Sequence, residues 1–164
     1  MSRAFDAIIV GAGQAGPPLA GRLTAAGMKV ALIERKLVGG TCVNTGCMPT
    51  KTLVASAYAA HLARRGAEFG VSTGAVGIDM PAVAARADKV VTKARTSNEQ
   101  WLESMEGLTF LRGHARFTAP GVIEVDGEAL TAPRIFLNVG GRATVPDMPG
   151  CCAWSSAVAP AYGV

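Results

Sequence analysis

The order of apolar and polar residues along the chain predicts alternating strands and helices. Residues 5–10 and 29–34 are short apolar runs that predict buried strands, and a glycine-rich turn and a helical stretch lie between them. Pro17 and Pro18 fit near the start of that helix, because the first backbone N–H groups of a helix have no partner within it. The pattern therefore predicts a strand, a glycine turn, a helix that begins near Gly13, and a second strand.

The middle of the chain predicts two long helices. After a loop at residues 37–41, the Ala-rich residues 47–67 predict the first helix, and residues 70–77 interrupt the helical pattern. Pro81 fits the first turn of the second helix, which the pattern extends to residues 101–105.

After Gly107 the sequence alternates between apolar and polar residues, which is typical of short strands. Asp126-Gly127 is a strong signal for a hairpin turn. The predicted strands are residues 108–111, 115–118, 122–125, 128–131 and 134–139. Residues 151–164 show neither period, so we expect a divergent or irregular tail there.

Composition indicates one folded domain with an aliphatic core. The 164 residues allow about one domain, 49% of them are hydrophobic, and only 5% are aromatic. The net charge of +4 comes from scattered basic residues, which disfavours a nucleic-acid partner. No apolar run has the roughly 18 residues of a membrane span. We therefore expect a cytoplasmic protein with neither a nucleic-acid nor a membrane partner.

Gly11, Gly13 and Gly16 form a Gly-x-Gly-x-x-Gly pattern between the first predicted strand and helix. With Glu34 at the end of the next strand, the pattern matches a dinucleotide-binding fingerprint. The first glycine permits a tight turn, the second lets backbone N–H groups approach a pyrophosphate, and the third lets helix and strand pack closely. Glu34 would accept hydrogen bonds from an adenosine ribose. The alternative is a glycine turn in another kind of α/β protein.

Cys42 and Cys47 are closely spaced and follow the run Gly-Gly-Thr. Cys47 stands at the predicted start of a helix, where the helix dipole favours a negatively charged sulfur. Lys51 lies one helical turn further on the same face, so a cation and a thiol point toward one ligand. The arrangement favours a redox pair beside a cofactor. A zinc half-site and two unrelated buried thiols are the alternatives, and we expect no metal site.

Residues 39–51 resemble the redox-active disulfide segment of the class I pyridine-nucleotide-disulfide oxidoreductases, which include glutathione reductase, dihydrolipoamide dehydrogenase and mercuric reductase. The resemblance implies that Cys47 faces a flavin, that Cys42 meets the substrate, and that Lys51 lies near the flavin N5. Residues 113–115 and 135–142 are similar to the adenine-side segment and to the closing strand and turn of the FAD domain. The implied FAD-binding residues are Gly11, Gly13, Gly16, Glu34, Gly40, Thr41, Lys51, Ala115 and Gly140.

The implied fold is α/β, a Rossmann-like FAD-binding fold of the three-layer FAD/NAD(P)-binding type, with a parallel sheet, helices and a small β-meander, in incomplete form. We expect residues 1–150 to be the N-terminal part of the FAD-binding domain. The NAD(P)-binding domain and the dimerisation domain, which makes the intact family homodimeric, are not expected in this chain. His61 and His114 are expected to be ordinary solvated or packed side chains.

The resemblance implies an FAD-dependent oxidoreductase. Electrons would pass from NAD(P)H through FAD to the Cys42–Cys47 disulfide, and then to a small disulfide or Hg(II)-type acceptor. The alternatives are a flavin-binding module without catalysis and a truncated remnant without function. We expect no efficient NAD(P)H turnover by the 164-residue chain, and we interpret the Cys151-Cys152 pair as a coincidence.

Overall fold

The computed structural model describes residues 2–141 and Thr144. The predicted tail, with Cys151 and Cys152, lies outside the described residues. Within them the strands are β1 (Arg3–Ala4), β2 (Ala7–Val10), β3 (Val30–Glu34), β4 (Leu108–Arg112), β5 (Arg116–Ala119), β6 (Val122–Val125), β7 (Glu128–Thr131) and β8 (Ile135–Leu137). The helices are α1 (Gly16–Ala25), α2 (Gly40–Asn44), α3 (Cys47–Arg64) and α4 (Met80–Glu103), with a 3₁₀ turn at Gly66–Phe69.

A parallel sheet with the strand order β4-β3-β2-β8 forms the centre of the molecule. Ala7, Ile8 and Ile9 of β2 are fully buried, so this strand is covered on both faces. A strand that is covered on both faces needs a continuous apolar run rather than an alternating one, which explains the sequence of β2 and β3.

Two different layers cover the two faces of this sheet. On one face, Ile9 and Leu32 pack with Ala20 of α1 and Leu102 of α4. On the other face, Ile8 and Ile33 pack with a second cluster of apolar residues. That cluster comes from the strands β6 and β7 and contains Ile123, Val125 and Leu130. The arrangement of helices, parallel sheet and meander in three layers confirms the predicted fold class.

The second sheet has the order β1-β7-β6-β5, in which β5, β6 and β7 form an antiparallel meander. Asp126 and Gly127 connect β6 to β7 with φ angles of 48° and 85°. Two consecutive positive φ angles are the mark of a tight hairpin turn that matches the strand twist. The hairpin predicted from Asp126-Gly127 is therefore confirmed.

Several predicted boundaries shift in the structure. Helix α1 begins at Gly16 and not near Gly13, with Pro17 in its first turn. The apolar run 5–10 is divided between two sheets, because the Phe5 N–H donates to Thr131 of β7 while Asp6 exchanges hydrogen bonds with Lys29.

The predicted loop 37–41 is also partly wrong, because the short helix α2 begins within it at Gly40. Helix α3 ends at Arg64, earlier than predicted, and α4 ends at Glu103. The strand predicted over 134–139 is limited to Ile135–Leu137. Among the described residues, no helix is both long enough and apolar enough to cross a membrane.

Candidate functional site

The glycine turn between β2 and α1 has positions that only glycine fits. Gly11 has a φ of 104°, and a Cβ there would lie 2.2 Å from the carbonyl oxygen of Asn138. A Cβ on Gly16 would lie 2.2 Å from the Gly11 carbonyl oxygen. The predicted tight turn at Gly11 and close packing at Gly16 are therefore confirmed.

Gly13 lies where two chain segments meet. A Cβ on Gly40, at the start of α2, would lie 3.0 Å from the Gly13 Cα. Gln14 reinforces this contact, because its side-chain amide donates to the Gly39 carbonyl oxygen at 3.1 Å. The structure thus brings Gly40 and the glycine turn together, as the interpretation of both as parts of one site requires.

Glu34 ends β3, and its carboxylate lies against the glycine turn. Its Oε2 atom accepts a hydrogen bond from the Ala12 N–H at 2.8 Å, and its Oε1 atom accepts one from the Lys36 N–H at 2.7 Å. Each carboxylate oxygen has two lone pairs, so one acceptor position on each oxygen remains for another donor. Glu34 therefore links the end of β3 to the turn and can still accept from a ligand.

The candidate residues outside α2 and α3 gather at one edge of the parallel sheet. Gly11 follows β2, Glu34 ends β3, Ala115 lies just past β4, and Gly140 lies just past β8. The strands are parallel, so these are all carboxyl ends. Open α/β sheets bind ligands at this edge.

Ala115 and Gly140 differ in their surroundings. Ala115 is half-buried and packs against the cluster beneath the meander. The preceding Gly113 N–H donates to the Glu34 carbonyl oxygen at 3.1 Å, which ties this segment to the end of β3. Gly140 has a φ of 71° and is exposed, and a Cβ there would meet no atom within 4 Å. Gly140 thus lies at the open end of β8.

The two cysteines lie on either side of the break between α2 and α3. Cys42 is in the middle of α2, and Cys47 is the first residue of α3. A Cβ on Gly46 would lie 2.9 Å from the Thr41 carbonyl oxygen, so only glycine lets the chain turn back this closely. Cys42 is half-buried and Cys47 is exposed, and both are free thiols.

Neighbouring side chains shift the pKa of the Cys42 thiol. The hydrogen bond with the Cys47 thiol raises the pKa of Cys42, and desolvation and the charge of Cys47 add to this effect. The ammonium of Lys51 acts in the opposite direction and lowers the pKa of Cys42. The structure therefore brings Cys42, Cys47 and Lys51 within electrostatic reach of one another. Lys51 and Thr41 are both exposed.

Helix α1 starts beside a cleft of about 340 Å³. The residues that line the cleft include Gly13, Gly39, Met48 and Trp101 of α4. The first turn of α1 carries no acidic side chain, and the positive end of a helix dipole favours a negative charge. The start of α1 is therefore suited to an anionic group.

Asn138 is a site residue that the sequence analysis missed. Its backbone N–H donates to the Val10 carbonyl oxygen at 2.7 Å, and its side-chain amide donates to the Gly11 carbonyl oxygen at 3.1 Å. Asn138 therefore joins the end of β8 to the glycine turn. The only sequence signal is an amide that follows an apolar strand.

The two predicted ordinary histidines are exposed, with His61 on α3 and His114 after β4. Among the described residues there is no group of three or more His, Cys, Asp or Glu side chains that could hold a metal ion.

Known proteins resemble this chain over most of its length. Mercuric reductase from Bacillus cereus is 36% identical over 148 residues, which cover 89% of this chain and 23% of that protein. Dihydrolipoyl dehydrogenase from Acholeplasma laidlawii is 37% identical over 151 residues, which cover 92% of this chain and 45% of that protein. The chain thus spans less than half the length of either relative.

A solved structure has the same fold. The Cu(II) complex of the HOCl-induced flavoprotein disulfide reductase RclA from Escherichia coli matches with a TM-score of 0.72 and 33% identity, over 92% of this chain and 31% of that one. Residues 5–159 match the sequence profile of the pyridine nucleotide-disulphide oxidoreductases. The chain therefore belongs to the pyridine nucleotide-disulphide oxidoreductase family, whose members use FAD and NAD(P)H.

Proposed function

We propose that residues 1–150 are the N-terminal part of an FAD-binding domain, in a protein that passes electrons from NAD(P)H to the Cys42–Cys47 pair. The observation that carries this proposal is the close approach of Gly40 to Gly13, 3.0 Å from a Gly40 Cβ to the Gly13 Cα. That approach joins the glycine turn to the helix that carries Cys42. A dinucleotide held by the turn would therefore extend toward the thiols.

The residues of the site fit FAD. The start of α1, which has no acidic side chain in its first turn, and the backbone of Gly11, Gly13 and Gly16 suit a pyrophosphate. The remaining acceptor positions of Glu34 suit ribose hydroxyl groups. The residues proposed to hold the cofactor are Gly11, Gly13, Gly16, Glu34, Gly40, Thr41, Lys51, Ala115 and Gly140. When bound, FAD supplies a two-electron exchange between a nicotinamide and a pair of thiols.

The cysteines alternate between a disulfide and two thiols. Reduction of the Cys42–Cys47 disulfide breaks one S–S bond and takes up two electrons and two protons. The raised pKa of Cys42 helps to keep one of those protons on the Cys42 sulfur. The dithiol then reduces an acceptor and returns to the disulfide. For a disulfide acceptor, the two electrons and two protons leave as two new thiols.

The acceptor is proposed to be a small molecule that reaches a partly exposed dithiol. Mercuric reductase is among the relatives, so Hg(II) is one candidate, and a low-molecular-weight disulfide is the other. The intact protein is proposed to be a homodimer, as members of the family typically are. Each candidate acceptor is added to the reduced protein. The acceptor that restores the Cys42–Cys47 disulfide distinguishes Hg(II) from a low-molecular-weight disulfide.

FAD binding is tested by titrating the chain with FAD and following flavin fluorescence. Replacement of Glu34 by Ala is expected to weaken binding by about 1–3 kcal/mol, because charge-assisted hydrogen bonds are lost. Glu128→Ala is the control, since Glu128 lies on the meander and pairs with Arg3. Equal FAD affinity in the Glu34→Ala variant and the wild type would remove Glu34 from the ribose site.

Electron transfer is tested without turnover. The oxidised chain is reduced anaerobically with one equivalent of dithionite, with and without FAD, and alkylation of Cys42 and Cys47 is followed by mass spectrometry. The proposal expects FAD to accelerate the appearance of both thiols. Bound FAD that leaves the disulfide intact would favour a flavin-binding module without catalysis. A chain that binds no FAD would contradict both functions.

A further inference from the structure

The side chain of Asn44 organises the short helix that carries Cys42. Asn44 is the last residue of α2, and its Nδ2 group donates to the Val38 carbonyl oxygen at 3.0 Å and to the Gly40 carbonyl oxygen at 2.9 Å. Helix α2 has only five residues and no side-chain cap at its start. A helix this short is not stable by itself, so its geometry depends on contacts of this kind.

Arg95 fixes the orientation of the Asn44 amide. Its Nη1 group, on α4, donates to the Asn44 Oδ1 atom at 3.3 Å, across 51 positions of the sequence. An arginine side chain has only donors, so the oxygen of the amide must face Arg95. The two N–H groups must then face Val38 and Gly40. Without Arg95, the Asn44 Oδ1 atom loses this partner. The side chain that bridges Val38 and Gly40 is then held by fewer contacts.

We propose that Arg95 is a positioning residue for the redox pair, which acts through Asn44 to hold α2 in the geometry that sets Cys42 against Cys47. This inference rests on the proposed function, because it assumes that the two cysteines form a disulfide. Arg95 is half-buried between α2 and α4, which limits the alternative partners of its guanidinium. The hydrogen bond of Arg95 is to Asn44 and not to the sulfur of Cys42 or Cys47, so its effect on the thiols is indirect.

Helix α4 provides a matched control. Arg86 also donates from α4 to the redox segment, to the Thr52 carbonyl oxygen at 2.8 Å and to the Ser56 hydroxyl at 3.1 Å. Both of these partners lie in the body of α3, beyond the two cysteines. An Arg86 variant therefore loses a comparable clamp between helices without releasing α2.

The experiment measures the stability of the Cys42–Cys47 disulfide in dithiothreitol redox buffers. Oxidised dithiothreitol takes two electrons and two protons from the dithiol and becomes reduced dithiothreitol, while the S–S bond forms in the protein. All variants carry Cys151→Ser and Cys152→Ser, so that two thiols are counted. The equilibrium constant is read by quenching with an alkylating agent and mass spectrometry, and thermal unfolding is recorded in parallel.

Arg95→Met is expected to lower this equilibrium constant about tenfold, because the two sulfurs meet less often when α2 is loose. Tenfold corresponds to about 1.4 kcal/mol. Arg86→Met is expected to leave the constant unchanged while lowering the unfolding temperature to a similar extent. Arg95→Lys, which keeps a donor, is expected to recover part of the loss.

Two outcomes would overturn the proposal, and they differ from each other. If the wild-type chain forms no Cys42–Cys47 disulfide in any buffer, the proposed function fails, and the role of Arg95 fails with it. If the disulfide forms but its equilibrium constant is the same in Arg95→Met and wild type, or falls equally in Arg86→Met, only the positioning role fails.

Discussion

The turn after β2 has no room for a Cβ atom at Gly16. A Cβ on Gly16 would lie 2.2 Å from the Gly11 carbonyl oxygen, so Gly16→Ala must displace either α1 or the turn. We expect this substitution to lower the free energy of unfolding by about 1–3 kcal/mol, the usual cost of overpacking. Chemical denaturation measures it.

The matched control is Gly77→Ala. A Cβ on Gly77 meets no atom within 4 Å, and its φ angle is not positive. Alanine at such a position restricts the unfolded chain, so we expect a gain of about 0.4–1 kcal/mol. Equal effects at Gly16 and Gly77 would contradict the close packing at Gly16.

The pKa of Cys42 gives a second prediction at the residue scale. Because the neighbouring Cys47 thiol raises this pKa, the alkylation of Cys42 should accelerate at a higher pH than the alkylation of an ordinary thiol. Cys47→Ala removes the largest cause, so the pH midpoint of Cys42 alkylation should move down. The rate of labelling with iodoacetamide across pH, read for the Cys42 peptide, measures this midpoint.

Lys51 provides a test in which the pKa of Cys42 should change in the opposite direction. Its ammonium lowers the pKa of Cys42, so Lys51→Met should move the midpoint of Cys42 alkylation up. A midpoint that moves in the same direction in Cys47→Ala and Lys51→Met would show that the two side chains do not act on Cys42 through charge and hydrogen bonding.

The amino-acid sequence predicted the glycine turn of the candidate site but not the long-range contacts around it. The spacing of Gly11, Gly13 and Gly16 was sufficient for the turn, because a positive φ or a missing Cβ is a local property. The contact of Glu34 with the Ala12 N–H was not predictable in the same way, because Ala12 lies 22 positions away. Asn138 was missed for the same reason, since it contacts Gly11 across 127 positions.

At the scale of elements, Leu102 holds α4 against the parallel sheet. Its side chain is 1% exposed and packs in the cluster that contains Ile9 and Leu32. We expect Leu102→Ala to lower the free energy of unfolding by about 2–5 kcal/mol, through lost burial and a cavity. Denaturant titration measures the change.

Leu137→Ala is the control for this prediction, because Leu137 ends β8 with 61% of its surface exposed. The same substitution on the surface should change stability by less than about 0.5 kcal/mol. If both variants lost equal stability, the assignment of Leu102 to the core would be wrong.

The β6–β7 hairpin and α4 carry strong local signals and were predicted, whereas the short helix α2 was not. Asp126-Gly127 encodes its own turn, and Asp79 caps α4 by accepting a hydrogen bond from the Ala82 N–H at 3.0 Å. Gly39, which precedes α2, and Gly40, its first residue, have φ angles of 94° and 59°, which are not values of a right-handed helix. Its stability comes from contacts with α3 and α4, and a sequence pattern does not display those.

At the scale of the whole molecule, α3 presents an apolar row to solvent. Val54 and Tyr58 are each 60% exposed and Leu62 is 41% exposed, at spacings of four residues along one helix face. A contiguous apolar surface of this kind promotes association. We expect the 164-residue chain to self-associate, with an average mass in sedimentation that rises with concentration.

The double variant Val54→Glu/Tyr58→Lys should reduce this association and keep the helix, because the new side chains form a favourable pair four residues apart. Phe117→Ser is the control, since Phe117 is exposed by 55% but lies on β5. Association that is unchanged in the double variant, or lost equally in the control, would remove the row on α3 as its cause.

The sequence by itself determined the order of strands and helices, the glycine turn and the family. Hydrophobic periodicity, turn residues and short motifs depend only on residues that are close together in the sequence. It also implied three layers through the resemblance. Tertiary structure alone decided that Asn138 donates a hydrogen bond to the glycine turn and that Arg95 donates one to Asn44. It also decided that the Cys47 thiol raises the pKa of Cys42. These contacts depend on the exact approach of separate elements, which follows from side-chain packing throughout the core and not from any local pattern.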